Sequence, residues 1–509
     1  MKGLARTTWV LLRTMWLWLV VPAVVIAGLV WSAAASIQDM YPDEAHRLAY
    51  AETVTDSVAV RVFQGRGYDL TTIGGIFAQE TAVVVLFLVP LLGVYVGVRF
   101  TRWLEDKNYL DIITAGTISR LAPTVAGLCC GAITCLLASV LSFAALAATG
   151  YDASGAALWA LALLLFFLWA VSLGALSGQL FRNSAEATFA AVAVVIGFYL
   201  LRSAVDVRSW DAVWSSPLSW LAETKPFAET PPAWPYLLFG VAIVAQALLG
   251  IFFATKRDLG GGMFAASAGP REAGATLVGS RTLLLRLVRG TTLAVLLAGG
   301  AVAFTFGYFA KDMATEGLTA RIVLLVQLNA IVAAAAGVLV SMAFAREELS
   351  GRTGRVLAGL PTRTRWQANG IVIAFAAVVI TQLALASLSG LGLSLSLDDW
   401  GRFGEALRSN AQQLPAALLI VALALALGSL DARLPALAWT LVAWAAVVAL
   451  RADMLQLSEG VRHISPVEWT GKVPVESWSA TSSAGMAAVI VVLMGIALVV
   501  FQRRDLAKG

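Results

Sequence analysis

Charged residues are scarce in this chain. Only 13% of its 509 residues are Asp, Glu, Lys or Arg, whereas 59% are hydrophobic, and the mean hydropathy is +0.81. Soluble globular domains carry about a quarter charged residues, so the composition excludes an ordinary soluble protein and indicates a membrane protein. The net charge of +5 does not accumulate on a basic face outside the loops, so nucleic acid is not an expected partner.

Residues that usually build catalytic or metal sites are also few. Both histidines, His46 and His463, fall in loops, and Cys129, Cys130 and Cys135 share one apolar run. Packing inside a helix is a better interpretation of these cysteines than metal ligation. The sequence has no GxxxxGK[ST] stretch to cradle a nucleotide phosphate. It also shows no Ser-His-Asp set and no carboxylate pair inside an apolar run. We therefore expect no catalysis, cofactor or metal in this chain.

Long apolar runs are abundant instead. Crossing about 30 Å of hydrocarbon takes about 20 apolar residues in a helix, and runs of this length favour helices over barrel strands. The sequence predicts an all-α polytopic membrane protein with twelve transmembrane helices. They are near 9–34, 82–100, 121–149, 157–180, 185–201, 235–254, 287–309, 322–345, 370–393, 413–430, 434–450 and 484–501.

The basic residues indicate the orientation of these helices. Lys and Arg dominate the N-terminal tail, the linker near 255–286 and the C-terminal tail. Twelve helices would put all three on one side, which the positive-inside rule makes cytoplasmic. The acid-rich loop 36–81 then faces outward. We expect a multi-pass protein of the bacterial cytoplasmic (inner) membrane with both termini in the cytoplasm.

The chain repeats itself. Its halves end in similar tails, FFATKRDLGGG at 252–262 and VFQRRDLAKG at 500–509. Before each tail lies an outward loop with Ser-Pro and Trp, at 215–230 and 464–477. Such self-similarity indicates two copies of one unit.

The predicted organisation follows from this repeat. A first six-helix repeat occupies 1–254, a cytoplasmic linker 255–286, and a second six-helix repeat 287–509. Because each repeat has an even number of helices, both have the same orientation. The repeats are therefore parallel and related by an axis along the membrane normal.

Each half carries a charged loop between its second and third helices, at 99–120 and 346–366. A charge costs a few kcal/mol in hydrocarbon, so these loops must reach water. In the second loop Val356, Leu357 and Leu360 share one side at helical spacing. That pattern suits a short helix that docks on a partner. An ordinary positive-inside loop is the alternative.

The second loop resembles the coupling helix of type-2 ABC exporter permeases. In that family a Glu-rich stretch with Gly-Arg, a Leu-Ala-Gly-Pro-like turn and an Arg follow the second span. The two-times-six plan is most similar to the duplicated single-chain permeases of polyketide-antibiotic (tetronasin-type) exporters, over nearly the whole length. The first loop departs from the pattern, with Lys107-Asn108-Tyr109 in place of Gly-Arg and Thr117 in place of Pro361.

The resemblance implies a function. The chain would be the transmembrane permease subunit of an ATP-driven exporter that moves hydrophobic compounds (antibiotics, drugs or lipids) outward. ATP and Mg would be bound by a homodimer of a separate ABC ATPase subunit, and the other partners would be membrane lipid and a hydrophobic small-molecule cargo. The residues implied in coupling to the ATPase are Arg102, Glu105, Asp106, Asp111, Arg120, Arg346, Glu347, Glu348, Gly351, Arg352, Pro361 and Arg363.

Polar residues inside apolar runs are candidates for cargo contact. Gln327 and Asn329 lie in the eighth run, although such amides also hold helices together by hydrogen bonds. Phe87 and Tyr95 would line an apolar route, or face lipid and core. Glu80 and Arg321 would either form an ion pair at the outer mouth or stay separate.

Two other functions remain open. A proton-driven secondary transporter of the major facilitator kind also has six plus six helices, and GRTGR at 351–355 loosely matches its loop. That family's Gly-x-x-x-Asp-Arg motif and a carboxylate inside a span are missing. A polytopic membrane enzyme resembling a glycosyltransferase would need reactive groups at the surface. The acidic loop 39–69 offers the one candidate and shows no ligand spacing.

Overall fold

The chain divides into two compact units in a computed structural model, Met1–Ala268 and Gly269–Gly509. The division falls inside the predicted linker. The structure describes residues 3–55, 57–107, 109, 118–258, 260–264, 274, 277, 279–309, 318–359, 362–451, 457–476 and 478–506, without the side chains of residues 58, 59, 320, 321 and 451.

The described part of the first unit is mainly helical. Its helices are α1 (Leu4–Thr14), α2 (Trp16–Met40), α3 (Glu44–Thr55), α4 (Val58–Phe63), α5 (Ile73–Phe100), α6 (Arg102–Asp106), α7 (Ala122–Ala148), α8 (Ala153–Leu180), α9 (Ser184–Val207), α10 (Pro217–Glu223) and α11 (Trp234–Lys256).

Polar caps begin the long helices of this unit. The side chains of Thr72, Asp152 and Asn183 accept hydrogen bonds from backbone N–H groups three residues later, at 3.0, 2.8 and 2.8 Å. Such caps satisfy donors that the first turn of a helix leaves free. The bonds from Ser154 and from the Gly155 N–H lower the pKa of the Asp152 carboxyl.

The second unit is helical in the same way. Its helices are α12 (Ser280–Tyr308), α13 (Leu318–Leu349), α14 (Arg352–Leu357), α15 (Arg363–Leu397), α16 (Gly401–Leu430), α17 (Ala438–Arg451), α18 (Glu459–Arg462) and α19 (Ala480–Arg503). Its core lies where the apolar faces of α13, α15 and α16 meet, around Val338, Val378 and Val421.

Eleven helices of the described residues are long and apolar enough to cross a membrane. This confirms the predicted all-α polytopic membrane protein. The remaining apolar run forms a shorter helix, Leu434–Leu450, whose first turn is a 3₁₀-helix that contains Pro435. At 1.5 Å per residue it is about 25 Å long, less than the hydrocarbon thickness. The count of twelve spans stays a prediction.

The same helix pairings occur in both units. In the first, α2 packs on α7, α5 on α8, and α8 on α11; in the second, α12 packs on α15, α13 on α16, and α16 on α19. Glycines permit close approach at some of these contacts. A Cβ on Gly97 would lie 2.1 Å from the Val171 carbonyl oxygen, and one on Gly307 would lie 2.1 Å from that of Ser389.

Candidate functional site

The charged loop of the second unit is fixed to the end of its last helix by a buried ion pair. Glu348, in the last turn of α13, is 5% exposed. Arg504, just after α19, donates two hydrogen bonds to the Glu348 carboxylate, at 2.5 and 2.6 Å. Arg504 also donates to the Gly428 carbonyl oxygen at 3.1 Å. This bidentate geometry gives a strong, directional contact between α13, α16 and the end of α19.

The far end of the same loop is attached to the same place. Arg363, at the start of α15, donates to the backbone carbonyl oxygens of Arg504 at 2.7 Å and of Gln502 at 3.3 Å. Between the two attachments the chain turns at Gly351, whose φ of 71° is a conformation that glycine adopts without strain. The loop is thus held to the second unit at both ends.

The middle of this loop presents a charged surface. Arg352 is 58% exposed and binds the Glu347 carboxylate at 2.6 and 2.8 Å, and these bonds raise the pKa of Arg352. Arg346 and Arg355 are exposed as well. An exposed ion pair contributes little to stability, so these groups are free to contact another molecule.

The apolar side of α14 faces inward, as its spacing predicts. Val356 and Leu357 pack against the core of the second unit. Two predicted members of this loop, Leu360 and Pro361, lie outside the described residues.

The charged loop of the first unit contains a larger buried cluster. Glu105 accepts hydrogen bonds from Arg102 at 2.8 Å and from Arg257 at 2.6 Å, and a second donor of Arg257 reaches its other oxygen. The side chains of Glu105, Arg102 and Arg257 are 5%, 1% and 4% exposed. Burial lowers the pKa of the Arg102 guanidinium, and the nearby Glu105 opposes that shift.

Backbone carbonyls and an amide complete this cluster. Arg102 donates to the carbonyl oxygens of Gly261 at 2.7 Å and Gly260 at 3.0 Å, and to that of Arg182. Arg257 donates to the buried Gln179 side chain at 2.9 Å. The cluster therefore joins the charged loop, the end of α11 and the turn between α8 and α9.

The other predicted coupling residues of this loop lie at its edge. Asp106 accepts a hydrogen bond from the Ser184 backbone N–H at 2.7 Å, at the start of α9. Arg120 donates to the Arg257 carbonyl oxygen and lies 3.4 Å from Asp258. Asp111 lies outside the described residues.

Glu105–Arg257 and Glu348–Arg504 are the same relationship in two units. In each, a carboxylate at or just after the end of the second span of the unit binds the arginine of an Arg-Asp pair that follows the last span of the unit. The sequence identified both glutamates and both tails but did not connect them, and it missed Arg257 and Arg504 as site residues. The available signal was that each repeated tail keeps an Arg-Asp pair.

The predicted cargo-contacting amides are hydrogen-bonded inside the second unit. Asn329 donates to the Ser389 hydroxyl at 3.2 Å and to the Asn410 side chain at 3.1 Å. Gln327 donates to Glu468 at 3.1 Å. These contacts link α13 to α15, to α16 and to the turn at 466–470, which favours the interhelical role among the two that the sequence left open.

The predicted aromatic and outer residues have partners within the first unit. Phe87 packs on Tyr199 with ring centroids 4.6 Å apart, and Tyr95 on Trp18 at 5.6 Å. Glu80 accepts a hydrogen bond from the Tyr50 hydroxyl at 2.8 Å. The side chain of Arg321 is outside the described residues, so the outer ion pair stays a prediction, as do the cargo contacts.

Carboxylates, thiols and imidazoles do not gather into a metal site in the part of the chain that the structure describes, where no three of them could hold a metal ion. The helices of span length indicate a polytopic membrane protein. Its charged loops are attached to the helices by ion pairs.

Comparison with known proteins gives the class more closely. Residues 277–502 match the family model described as "Multidrug efflux system permease Rv1217c, C-terminal domain". Over 498 residues the chain is 25% identical to "Multidrug efflux system permease protein Rv1217c" of Mycobacterium tuberculosis (strain ATCC 25618 / H37Rv), covering 92% of this chain and 89% of that protein. These similarities support a membrane permease with a role in transport.

Proposed function

We propose that this chain is the transmembrane permease subunit of an ATP-driven ABC exporter that carries hydrophobic compounds out across the cytoplasmic membrane. The similar mycobacterial protein is named a multidrug efflux system permease, which supports a cargo of this kind. The scarcity of charge within the spans also favours a lipophilic cargo over an ion or a sugar. Both termini lie in the cytoplasm in this proposal, as the positive-inside rule predicts.

The observation that carries the proposal is the buried ion pair between each charged loop and the end of its unit. A loop that receives movement from a motor must be attached firmly to the helices that are to move. Glu348–Arg504 attaches one loop to the end of α19, and Glu105–Arg257 attaches the other to the end of α11. Buried bidentate pairs of this kind resist sliding, because separating them leaves charges without partners.

The exposed part of the second loop provides a surface for the motor. Arg352 and Arg355 project from the short helix α14, next to Glu347. In this proposal a homodimer of a separate ABC ATPase contacts this surface and binds ATP and Mg. This sequence has no phosphate-binding loop of its own.

The proposal includes two parallel six-span repeats, one above each ATPase copy. The matching helix pairings within each unit support a duplicated unit. The repeated Ser-Pro-x-x-Trp loops also support it, because Trp220 and Trp469 each donate an indole hydrogen bond to the carbonyl oxygen six residues earlier, at 2.6 and 2.7 Å. The first loop lacks the Gly-Arg element, so we place the stronger ATPase contact at the second.

A reconstitution experiment tests this proposal. The full chain is purified from its host, any co-purifying P-loop ATPase is identified, and both are placed in liposomes with a fluorescent lipophilic compound. We expect export that requires ATP and hydrolysis that the compound stimulates. Transport driven by a pH gradient without any ATPase would contradict the proposal and favour the secondary transporter.

A further inference from the structure

Arg99 lies at the end of α5 between two indole rings. Its guanidinium carbon is 3.4 Å from the centroid of the Trp103 ring and 4.4 Å from that of Trp18. Tyr95, one turn earlier on α5, packs against Trp18. Stacked contacts of this kind hold the flat face of a guanidinium and leave its N–H groups pointing outward in the ring plane.

Those donors have no acceptor in the described part of the chain. The Nε of Arg99 is buried without a hydrogen-bond partner, and no carboxylate within ion-pair distance of Arg99 is found among the described residues. The contrast with Arg102, three residues later, is direct, because Arg102 binds Glu105. Among the described residues, Arg99 is therefore a positioned cation without an anionic partner.

The neighbouring helix α1 adds charge of the same sign. One side of α1 is buried through Thr7 and Leu11, and α1 packs on α7. Arg6 and Arg13 are exposed, and α1 contains no acidic residue. Arg13 stacks on Trp9 at 5.4 Å. An amphipathic helix with basic and Trp residues outward is typical of the membrane interface.

We propose that Arg99, held between Trp18 and Trp103, binds the phosphate of an anionic phospholipid headgroup. A guanidinium presents donors in a plane that matches two oxygens of a phosphate. Trp side chains gather at the level of the headgroups, where a span ends, and basic residues at that level attract anionic lipids. Arg6 and Arg13 contribute long-range attraction for the same headgroup.

A lipid fits this site better than free phosphate. Trp18, which contacts Arg99, lies in the first turn of α2. Large apolar side chains are exposed in that turn and in α1, with Trp16 54%, Leu17 52% and Trp9 58% exposed. Such apolar surfaces can contact the acyl chains of a lipid, whereas an inorganic ion would gain nothing from them. The inference is independent of the proposed export function, since it concerns the first unit alone and requires no ATPase.

Lipid preference of the purified full chain in detergent provides the test. Binding of tail-labelled phosphatidylglycerol is compared with that of tail-labelled phosphatidylcholine by fluorescence anisotropy. The variants are R99Q, which removes the charge, and R99K, which keeps the charge but loses the planar fork. The matched control is R208Q, because Arg208 also stacks on a Trp ring, Trp210 at 5.2 Å, but on one side only.

We expect wild-type protein to prefer phosphatidylglycerol and R99Q to lose about fivefold of that preference, as the removal of one interfacial charge implies. R99K should fall between them, and R208Q should match wild type. R13Q, altered at an exposed position, should show a smaller loss, and it remains measurable even where R99Q fails to fold.

Two results overturn the inference. One is an unchanged preference in R99K and R13Q, or in a folded R99Q. The other is displacement of the labelled lipid by millimolar inorganic phosphate as effectively as by unlabelled phosphatidylglycerol, which would make the site one for the free ion.

Discussion

Arg504 binds both oxygens of Glu348, at 2.5 and 2.6 Å, and thereby connects residues 156 positions apart in the sequence. Arg257 does the same with Glu105 in the other unit. Each charged loop is too polar to lie in hydrocarbon, and these contacts make it part of the packed structure of its unit.

Removing Arg504 should destabilise the second unit. Arg504→Ala removes this partner from the buried Glu348 carboxylate, and breaking a buried pair costs up to about 3–5 kcal/mol. The exposed neighbour Arg503 supplies the control, because Arg503→Ala removes the same charge from the same tail. Thermal denaturation in detergent is monitored by size-exclusion chromatography. We expect a lower Tm for Arg504→Ala and an unchanged Tm for Arg503→Ala. Equal Tm values for the two variants would mean that the pair is not structural.

Glu105→Gln should be more damaging than Glu348→Gln. Glu105 binds two buried arginines, Arg102 and Arg257, and Asp106 lies 3.5 Å from Arg102. Loss of the Glu105 charge therefore leaves two adjacent cations with Asp106 near one of them, whereas loss of the Glu348 charge affects Arg504. We expect the larger fall in Tm for Glu105→Gln, and no fall for Lys107→Ala, which alters an exposed charge in the same loop. A larger fall in Tm for Glu348→Gln than for Glu105→Gln would contradict this assignment of charges in the two clusters.

Close packing of α5 on α8 predicts a strict requirement for glycine. Gly97→Ala would put a Cβ 2.1 Å from the Val171 carbonyl oxygen, and overpacking of this kind costs about 1–3 kcal/mol. Gly197→Ala in α9 meets nothing within 4 Å, so it serves as the matched control. Tm should fall for Gly97→Ala only, and a tolerated Gly97→Ala would require a wider α5–α8 spacing.

Asn329→Ala separates the two roles that the sequence left open for this amide. Because Asn329 bonds Ser389 and Asn410, we expect a loss of about 1 kcal/mol in stability, the scale of interhelical hydrogen bonds in membranes. The relative export of several lipophilic compounds should stay unchanged. A selective change for one compound, with stability unaffected, would instead assign Asn329 to the cargo route.

Much of the fold follows from composition. Apolar runs of about 20 residues in a chain with so few charges allow helices and little else, and the helices lie where the runs predict. Two runs are exceptions. The run 9–34 is divided between α1 and α2, which are separated at Met15. In the run 434–450, Pro435 and a 3₁₀ turn occupy the first residues and leave a short helix. Run length alone could not anticipate either result.

The site was predicted in part. The charges of the two loops predict that they lie outside the hydrocarbon, and the similar tails predict a repeat. The ion pairs between loop and tail depend on where the ends of α11 and α19 lie relative to the loops. Arg257 and Arg504 looked like ordinary basic residues after a span. Periodicity has no information about contacts 152 or 156 residues apart, so the connection appears only in the packed structure.

The most direct test of the central claim uses the pair Glu347–Arg352, whose side chains are 17% and 58% exposed. An ion pair at the surface contributes little to folding. Glu347→Ala with Arg352→Ala is compared with Arg402→Ala with Glu405→Ala, a partly exposed Arg–Glu pair in the first turns of α16, 2.7 Å apart. The quantity measured is compound exported per ATP hydrolysed in liposomes that contain the ATPase. We predict a fall of roughly tenfold for the loop variant, the size of about 1.4 kcal/mol of lost coupling, and no change for the control. Equal ratios in both variants and wild type would contradict a coupling role for the loop.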